Sequence, residues 1–96
     1  MSGYILSPLV AQDLDDLWEF IARDNLDAAD RILEEIYAAI QRLVRLPLLG
    51  HVRADVADAS HRFWPVRNFL IIYHPETSPL EIVRILRGSR DIPSLI

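Results

Sequence analysis

Apolar residues recur at helical spacing in the first half of this chain. Two stretches have apolar positions three and four residues apart, which predicts one amphipathic helix over Pro8–Arg23 and a second between Asn25 and Pro47. Ser7 and Asn25 are typical N-cap residues, and we expect each side chain to accept a hydrogen bond from the first turn of its helix. The short connection between the two helices predicts an antiparallel hairpin.

The second half of the chain holds short apolar runs that predict strands. Phe69–Tyr73 is continuously apolar, which is typical of a central strand covered on both faces. Phe63–Val66 and Leu80–Leu86 are predicted to flank it. Pro65 lacks an N–H group, so the strand that contains it is expected at an edge of the sheet or at a bulge.

Two details of this sheet follow from the same residues. Arg67 and Asn68 connect the first two strands of the meander, and we expect Asn68 to adopt the left-handed conformation that a tight turn needs. The last strand alternates less cleanly, and the two-residue period of a strand assigns these residues to one face: Leu80, Ile82, Arg84 and Leu86.

The order of these elements defines the fold class. Gly3–Leu6 is a short opening strand, the helix hairpin follows, and a three-stranded antiparallel meander ends the chain. This order predicts an α+β fold with the helices on one face of the sheet. The length of 96 residues, with no repeat or linker, predicts a single domain over residues 1–96. Gly88–Asp91 is expected to form a turn, and Ile92–Ile96 a tail that folds back on the domain.

Composition narrows the classes of function. Apolar residues make up 51% of the chain and charged residues 25%, which is typical of a globular domain and not of a disordered one. The chain has no cysteine, which excludes disulfides, thiolate catalysis and zinc–thiolate sites. Neither a signal segment nor an apolar run of membrane-spanning length is present, so we expect a cytoplasmic protein with no membrane contact.

Charge divides the chain into an acidic and a basic half. Residues 1–50 carry nine acidic and four basic side chains, whereas residues 51–96 carry five acidic and six basic ones. Every basic residue is arginine, whose planar donor fork suits carboxylate or phosphate recognition better than general-base catalysis. The candidate partner-binding residues therefore follow the sheet: Arg62, Trp64, Arg67, Tyr73, Arg84, Arg87 and Arg90.

Other chemistry has little support in the sequence. His51, His61 and His74 lack the short spacing of metal ligands, and the three glycines are isolated, which excludes a phosphate-binding loop. We therefore predict no metal, no cofactor and no catalytic residue. The acidic total and the absence of a recognition-helix pattern also argue against direct reading of DNA.

Several stretches together resemble one known family. Ser7-Pro8, the helix start after Asn25, the segment Leu46–Gly50 and the ending Arg84–Pro93 occur in the order and spacing of the ParE branch of the ParE/RelE toxin superfamily, the plasmid-stabilisation toxins of bacteria. The resemblance covers nearly the whole chain. It departs from the usual pattern at Arg87, where relatives commonly have histidine, and at the turn before the central strand, where they commonly have Gly-Arg.

The resemblance implies a toxin that inhibits DNA gyrase without being an enzyme and forms a hetero-oligomer with a cognate antitoxin. The antitoxin is expected to lay a helix in an apolar groove, to add a strand to an open sheet edge, or both. The sheet arginines and the segment Arg87–Ile96 are the expected contacts with target or antitoxin. Two alternatives stay open: a RelE-like, ribosome-dependent mRNA endonuclease, and a non-toxic co-repressor that only binds the antitoxin.

Overall fold

The computed structural model describes residues 3–53 and 60–88 and confirms the predicted α+β fold. In chain order, the elements of these residues are β1 (Tyr4–Leu6), α1 (Pro8–Ala22), α2 (Leu26–Arg45), β2 (Arg62–Val66), β3 (Phe69–His74) and β4 (Leu80–Arg87). The predicted turn and tail after Gly88, including Arg90, lie outside the described residues. Residues 54–59, between α2 and β2 in the sequence, also lie outside them.

The strands form one sheet in the order β1-β4-β3-β2. β1 runs parallel to β4, and the other neighbouring pairs are antiparallel. β3 lies inside the sheet, as its continuous apolar run predicts, and β2 lies at an edge, as Pro65 predicts. β1 at the start of the chain therefore pairs with β4, and β1 and β2 are the two edge strands of the sheet.

Apolar side chains are buried on both faces of the sheet. The larger cluster lies between the sheet and the helix hairpin, and it includes Val10 and Leu17 of α1, Ile36 and Ile40 of α2 and Ile71 of β3. A smaller cluster on the other face is formed by Phe63, Ile72 and Leu86. The helices therefore lie on one face of the sheet, as the order of elements predicts, while β3 is buried on both faces.

The predicted assignment of Leu80, Ile82, Arg84 and Leu86 to one face of β4 is wrong, because the strand contains an irregularity. Ile72 of β3 is opposite Arg84, whereas Tyr73 is opposite Ile82, so β4 contributes one extra residue, Val83. An extra residue reverses the alternation that follows it. Consequently Ile85, and not Leu86, joins the helix-facing cluster.

The two predicted helix caps have different outcomes. The Asn25 side chain accepts a hydrogen bond from the backbone N–H of Ala28 at 3.0 Å, which confirms it as an N-cap. Ser7 makes no side-chain cap; its hydroxyl donates instead to the carbonyl of Val83 at 2.7 Å, because β1 has ended there and that carbonyl lacks a strand partner. No helix within residues 3–53 and 60–88 is long and apolar enough to cross a membrane.

The β2–β3 turn uses a different residue from the predicted one. Arg67, not Asn68, has the positive φ, 55°. The Arg67 guanidinium forms a bidentate pair with Glu35 of α2, with both N–O distances at 2.8 Å, and this pair holds the side chain against the helix. Asn68 is held through its backbone carbonyl, which accepts from Gly88 N–H at 2.9 Å. Two tertiary contacts thus fix the turn.

Candidate functional site

Side chains of α1 cover the edge of β4 beyond the end of β1. β1 pairs only with residues 80–82 of β4, which leaves the later backbone groups without a neighbouring strand. The Ser7 hydroxyl binds the Val83 carbonyl, and an Asp13 carboxylate oxygen accepts from the backbone N–H of Ile85 at 3.0 Å. These two side chains occupy the positions that a partner strand would take, so this part of the edge is closed.

The same carboxylate forms a buried ion pair with Arg84. The guanidinium Nε donates to Asp13 Oδ2 and Nη2 donates to Oδ1, both at 2.8 Å. The side chains are only 13% and 7% exposed, and the hydrogen bond from Arg84 to Asp13 raises the pKa of the arginine. The structure therefore places the predicted contact residue Arg84 in the interior, where it joins α1 to β4.

Sequence reasoning missed Asp13, although its position carries a signal. It lies three residues after Val10 and four before Leu17, on the apolar stripe of α1. A carboxylate on such a stripe is expected to have a buried partner. The sequence does not identify that partner, because Arg84 lies 71 residues further along the chain.

The outer edge of β2 is also closed. Phe63 exchanges both of its backbone hydrogen bonds with His51, each at 2.8 Å. Pro65 points its backbone to the same side two residues later, and it has no N–H to donate. Of the backbone groups that Phe63 and Pro65 point to this side, the Pro65 carbonyl is the one left for an added strand.

The outer edge of β1 is open. Gly3 O and Ser7 N bind β4, so the alternating backbone groups of Tyr4 and Leu6 point away from the sheet. Within the described residues these groups have no hydrogen-bond partner. Among residues 3–53 and 60–88, β1 therefore offers an edge at which another strand can pair.

An apolar groove lies beside this open edge, between α1 and α2. Trp18 lies in its wall, and the indole N–H donates to Asp30 at 2.9 Å, which fixes the ring. Two exposed carboxylates, Asp15 and Glu19, stand on the rim. The groove is lined by Leu6, Ala11, Leu14, Trp18, Leu33 and Tyr37, with the two rim carboxylates.

Tyr73 and Arg62, two more predicted contact residues, hold the loop between α2 and β2. The buried Tyr73 hydroxyl donates to Pro47 O at 2.6 Å and accepts from Gly50 N–H at 2.9 Å. Arg62 Nη1 donates to Gly50 O at 2.8 Å and to Leu48 O at 3.3 Å. Burial raises the pKa of Tyr73, and the Gly50 hydrogen bond opposes that shift. Both side chains therefore bind the chain's own backbone.

Trp64 lies on the face of β2 toward α2. The guanidinium of Arg42 is 5.7 Å from its ring centroid, and the imidazole of His51 stacks with it at 6.1 Å. A shallow depression extends from this ring along α2 to the pair of Arg67 with Glu35. Trp64 is half-buried, so one part of the ring packs on the core and another part faces solvent.

Arg87 and Arg67 come together at the end of the sheet where the β2–β3 turn lies. Arg87 is exposed, and its guanidinium lies 4.3 Å from the ring centroid of Phe20 on α1. With Pro65 and Leu70, the two arginines line a shallow depression. The predicted contact residues that the structure describes therefore do not form one cluster. Arg84 is buried, Trp64 is half-buried on β2, Arg62 and Tyr73 hold the loop, and Arg67 and Arg87 form this exposed pair.

The histidines form one close pair. The rings of His61 and His74 are 4.4 Å apart between centroids, and His74 Nδ1 lies 2.9 Å from Ser60 O, to which it donates. His74 Nε2 is 3.8 Å from a carboxylate oxygen of Glu81. Among residues 3–53 and 60–88, no group of three histidine, cysteine or acidic side chains has the arrangement of a metal site.

Two comparisons with known proteins found matches, one to a family and one to a fold. Residues 4–92 match the family described as "ParE toxin of type II toxin-antitoxin system, parDE". A solved structure described as "Chromosomal ParDE TA system from P. aeruginosa" has the same fold: the TM-score is 0.73 at 18% sequence identity, over 91% of this chain and 96% of the other. No curated protein sequence matches the chain. Because the family match spans nearly the whole sequence, the chain belongs to the ParE toxins of type II toxin–antitoxin systems.

Proposed function

We propose that this ParE-family chain inhibits DNA gyrase in the cytoplasm and that a cognate antitoxin neutralises it in a hetero-oligomer. Two polar side chains of the sheet, a tyrosine and an arginine, are engaged in structural contacts and are not available to a reaction at the surface. The Tyr73 hydroxyl donates to Pro47 O, and the Arg84 guanidinium is paired with Asp13. Their burial favours toxicity through protein binding over acid–base catalysis of RNA cleavage.

The open edge of β1 beside the apolar groove is the observation that carries antitoxin binding. A strand paired with Tyr4 and Leu6 would extend the sheet, and apolar side chains from the same segment would enter the groove beside Leu6. Because Asp15 and Glu19 stand on the rim, this antitoxin segment carries lysine or arginine around its apolar residues. The closed edges of β2 and β4 favour one such segment per toxin.

A charge-reversal experiment tests this surface. The variant Asp15→Lys with Glu19→Lys is expected to weaken the affinity for the antitoxin by about tenfold or more, because like charges would face each other at the rim. Glu34→Lys is the matched control, since this exposed glutamate of α2 does not line the groove. Isothermal titration calorimetry measures both; equal affinities would contradict the placement.

Expression of the chain alone in bacteria tests the target. We expect growth arrest, induction of the DNA-damage response and intact mRNA in these cells. In vitro, the purified chain is expected to inhibit the supercoiling activity of purified gyrase. Arrest should disappear when the antitoxin is co-expressed. Absence of any growth effect would instead favour the co-repressor.

A ribosome-dependent mRNA endonuclease is the second candidate, and the pair of His61 and His74 favours it. Adjacent imidazoles 4.4 Å apart are able to act as acid and base. Primer extension on total mRNA decides between the candidates. The nuclease is supported if the wild-type chain causes mRNA cleavage without DNA damage and the His61→Ala and His74→Ala variants leave mRNA intact. This result would contradict gyrase inhibition.

A further inference from the structure

The loop between α2 and β2, residues 46–52, presents large apolar side chains to solvent. Leu48 is 67% exposed, Leu46 is 52% exposed and Val52 is 47% exposed. Three apolar side chains this exposed within seven residues are a feature that interaction sites share. In contrast, Leu49 of the same loop packs against the core.

This loop is held rigidly in the conformation that exposes these residues. The Tyr73 hydroxyl and the Arg62 guanidinium bind the carbonyls of Pro47 and Gly50 at 2.6 and 2.8 Å. The backbone pair of His51 with Phe63 fixes the end of the loop. Gly50 has no room for a side chain, since a Cβ there would lie 2.5 Å from the Tyr73 oxygen. A surface ordered before binding loses less conformational entropy when a partner binds.

Charge near the loop selects the kind of partner. Arg42 and Arg45 lie on the last turn of α2, directly before the loop, and both are exposed. Neither guanidinium pairs with a carboxylate among the described residues. The chain as a whole has a net charge of −4, so these two arginines form a local basic region on an acidic protein. This surface complements an apolar pocket surrounded by carboxylates.

The loop is separated from the proposed antitoxin surface by the width of the sheet. His51 joins it to β2, whereas the open edge belongs to β1, and these strands are at opposite ends of the order β1-β4-β3-β2. The rim of the α1–α2 groove is acidic, whereas the end of α2 before the loop is basic. Two partners of opposite charge therefore have separate places to bind.

We infer that the 46–52 loop is the surface through which the chain contacts the protein it poisons, with Leu48 inserted into an apolar pocket that is rimmed by carboxylates. Arg62 and Tyr73 are positioning residues for this contact, because they hold the loop and do not touch the partner. The inference rests on the proposed function, since it requires a protein target. It differs from that proposal in assigning the contact to this loop, whichever protein is the target.

Serine substitution in the loop is the first test. The variant Leu48→Ser with Val52→Ser is expected to lose growth arrest, with survival at least about tenfold above that of cells expressing wild-type chain, because its apolar anchors are gone. Leu26→Ser is the matched control, since Leu26 is 60% exposed and lies at the start of α2. The urea midpoint and antitoxin affinity of both variants should equal those of the wild-type chain. Retained arrest by the loop variant would overturn the inference.

Charge reversal in the same region is the second test. Arg42→Glu with Arg45→Glu should also abolish growth arrest and retain the affinity for the antitoxin. If the wild-type chain binds purified gyrase, this variant and the serine variant should both bind it more weakly. Wild-type arrest without DNA damage would overturn the gyrase proposal alone, since loss of arrest in the loop variants would still support this inference. A wild-type chain without any effect on growth would overturn both.

Discussion

Two arginine–carboxylate pairs in this molecule have the same geometry and different surroundings. Arg84 with Asp13 and Arg67 with Glu35 are both bidentate, and all four N–O distances are 2.8 Å. The side chains of the first pair are 13% and 7% exposed, whereas those of the second are 60% and 38% exposed. The two pairs therefore have the same hydrogen-bond geometry and differ in their exposure to water.

The difference shows how burial changes what an ion pair contributes. Around Arg67 and Glu35, water screens the attraction and solvates each side chain if the other is removed. Around Asp13, loss of the carboxylate leaves the Arg84 charge and the Ile85 N–H without their buried acceptor. We therefore expect the first pair to fix a side-chain position and the second to be required for folding.

Asp13→Ala is expected to have the largest effect on stability. Removing one partner of a buried ion pair costs about 3–5 kcal/mol in the free energy of unfolding. Urea unfolding followed by tryptophan fluorescence measures the loss. Asp15→Ala, an exposed carboxylate of the same helix, is the control, and a loss from Asp13→Ala no larger than from the control would show that burial is not the deciding difference.

The double variant Asp13→Leu with Arg84→Met separates the cost of a buried charge that has lost Asp13 from the benefit of the ion pair. Replacing both charges with apolar side chains of similar size should restore most of the stability lost in Asp13→Ala. The Ile85 N–H still lacks its acceptor, so restoration is expected to be incomplete. A double variant as unstable as Asp13→Ala would show that loss of the pair itself, and not the arginine charge left after removal of Asp13, carries the effect.

Tyr73→Phe is expected to have an intermediate effect, because it removes buried hydrogen bonds without leaving a charge. The Pro47 carbonyl and the Gly50 N–H lose their partner, at a cost of about 1–3 kcal/mol. Urea unfolding measures it, with the exposed Tyr37→Phe as control. A loss equal to that of Asp13→Ala would mean that charge adds nothing to the cost of burial.

Alkaline pH should destabilise the protein through the same tyrosine. Burial raises the pKa of Tyr73 above its ordinary value of 10.0, so the folded state holds this proton more tightly than the unfolded state. The contribution to stability is complete below that pH and is lost as the pH rises toward the folded pKa. Urea midpoints between pH 8 and 11 should fall more steeply for the wild-type chain than for Tyr73→Phe; parallel slopes would exclude Tyr73 as the cause.

Glu35→Ala is expected to have the smallest effect, with no resolvable change in the urea midpoint. The pair is visible in titration instead, since the hydrogen bond from Arg67 lowers the pKa of Glu35 from 4.5. Its contribution is present above the unfolded pKa and disappears as the pH falls through the folded one. NMR titration of Arg67→Ala should return the Glu35 pKa toward its ordinary value, and added salt should have the same direction of effect on the wild-type chain.

The periodic features of the sequence are sufficient to predict where the helices and the strands lie. The apolar stripe of α2 and the continuous apolar run of β3 each specify one kind of element, and Asn25 and Pro65 mark where elements begin or meet an edge. The register of β4 was not predictable, because the run around Val83 is apolar on both sides of the irregularity. Arg67 has the positive φ of the turn and contacts Glu35 of α2, and no local pattern reveals this contact.

The site was less predictable than the fold for a physical reason. An arginine in the sequence predicts binding to a carboxylate or phosphate. It does not indicate whether that anion belongs to the same protein or to a partner. Arg84 finds its carboxylate on α1, whereas Arg42 has none among the described residues. The open edge of β1 was equally hidden, since it depends on which strand becomes the neighbour of β4.

The parallel pairing of β1 with β4 also determines when the sheet can form during translation. Ser7 binds Val83 across 76 residues, so the first strand has no neighbour until the last one has been synthesised. At about 5–20 residues per second, that delay is on the order of ten seconds. A nascent or truncated chain that stops before Leu80 lacks β4 altogether, and with it the neighbour that orders the edge and groove beside Leu6. Toxicity is therefore expected to depend on nearly complete synthesis, and premature termination should yield a harmless fragment.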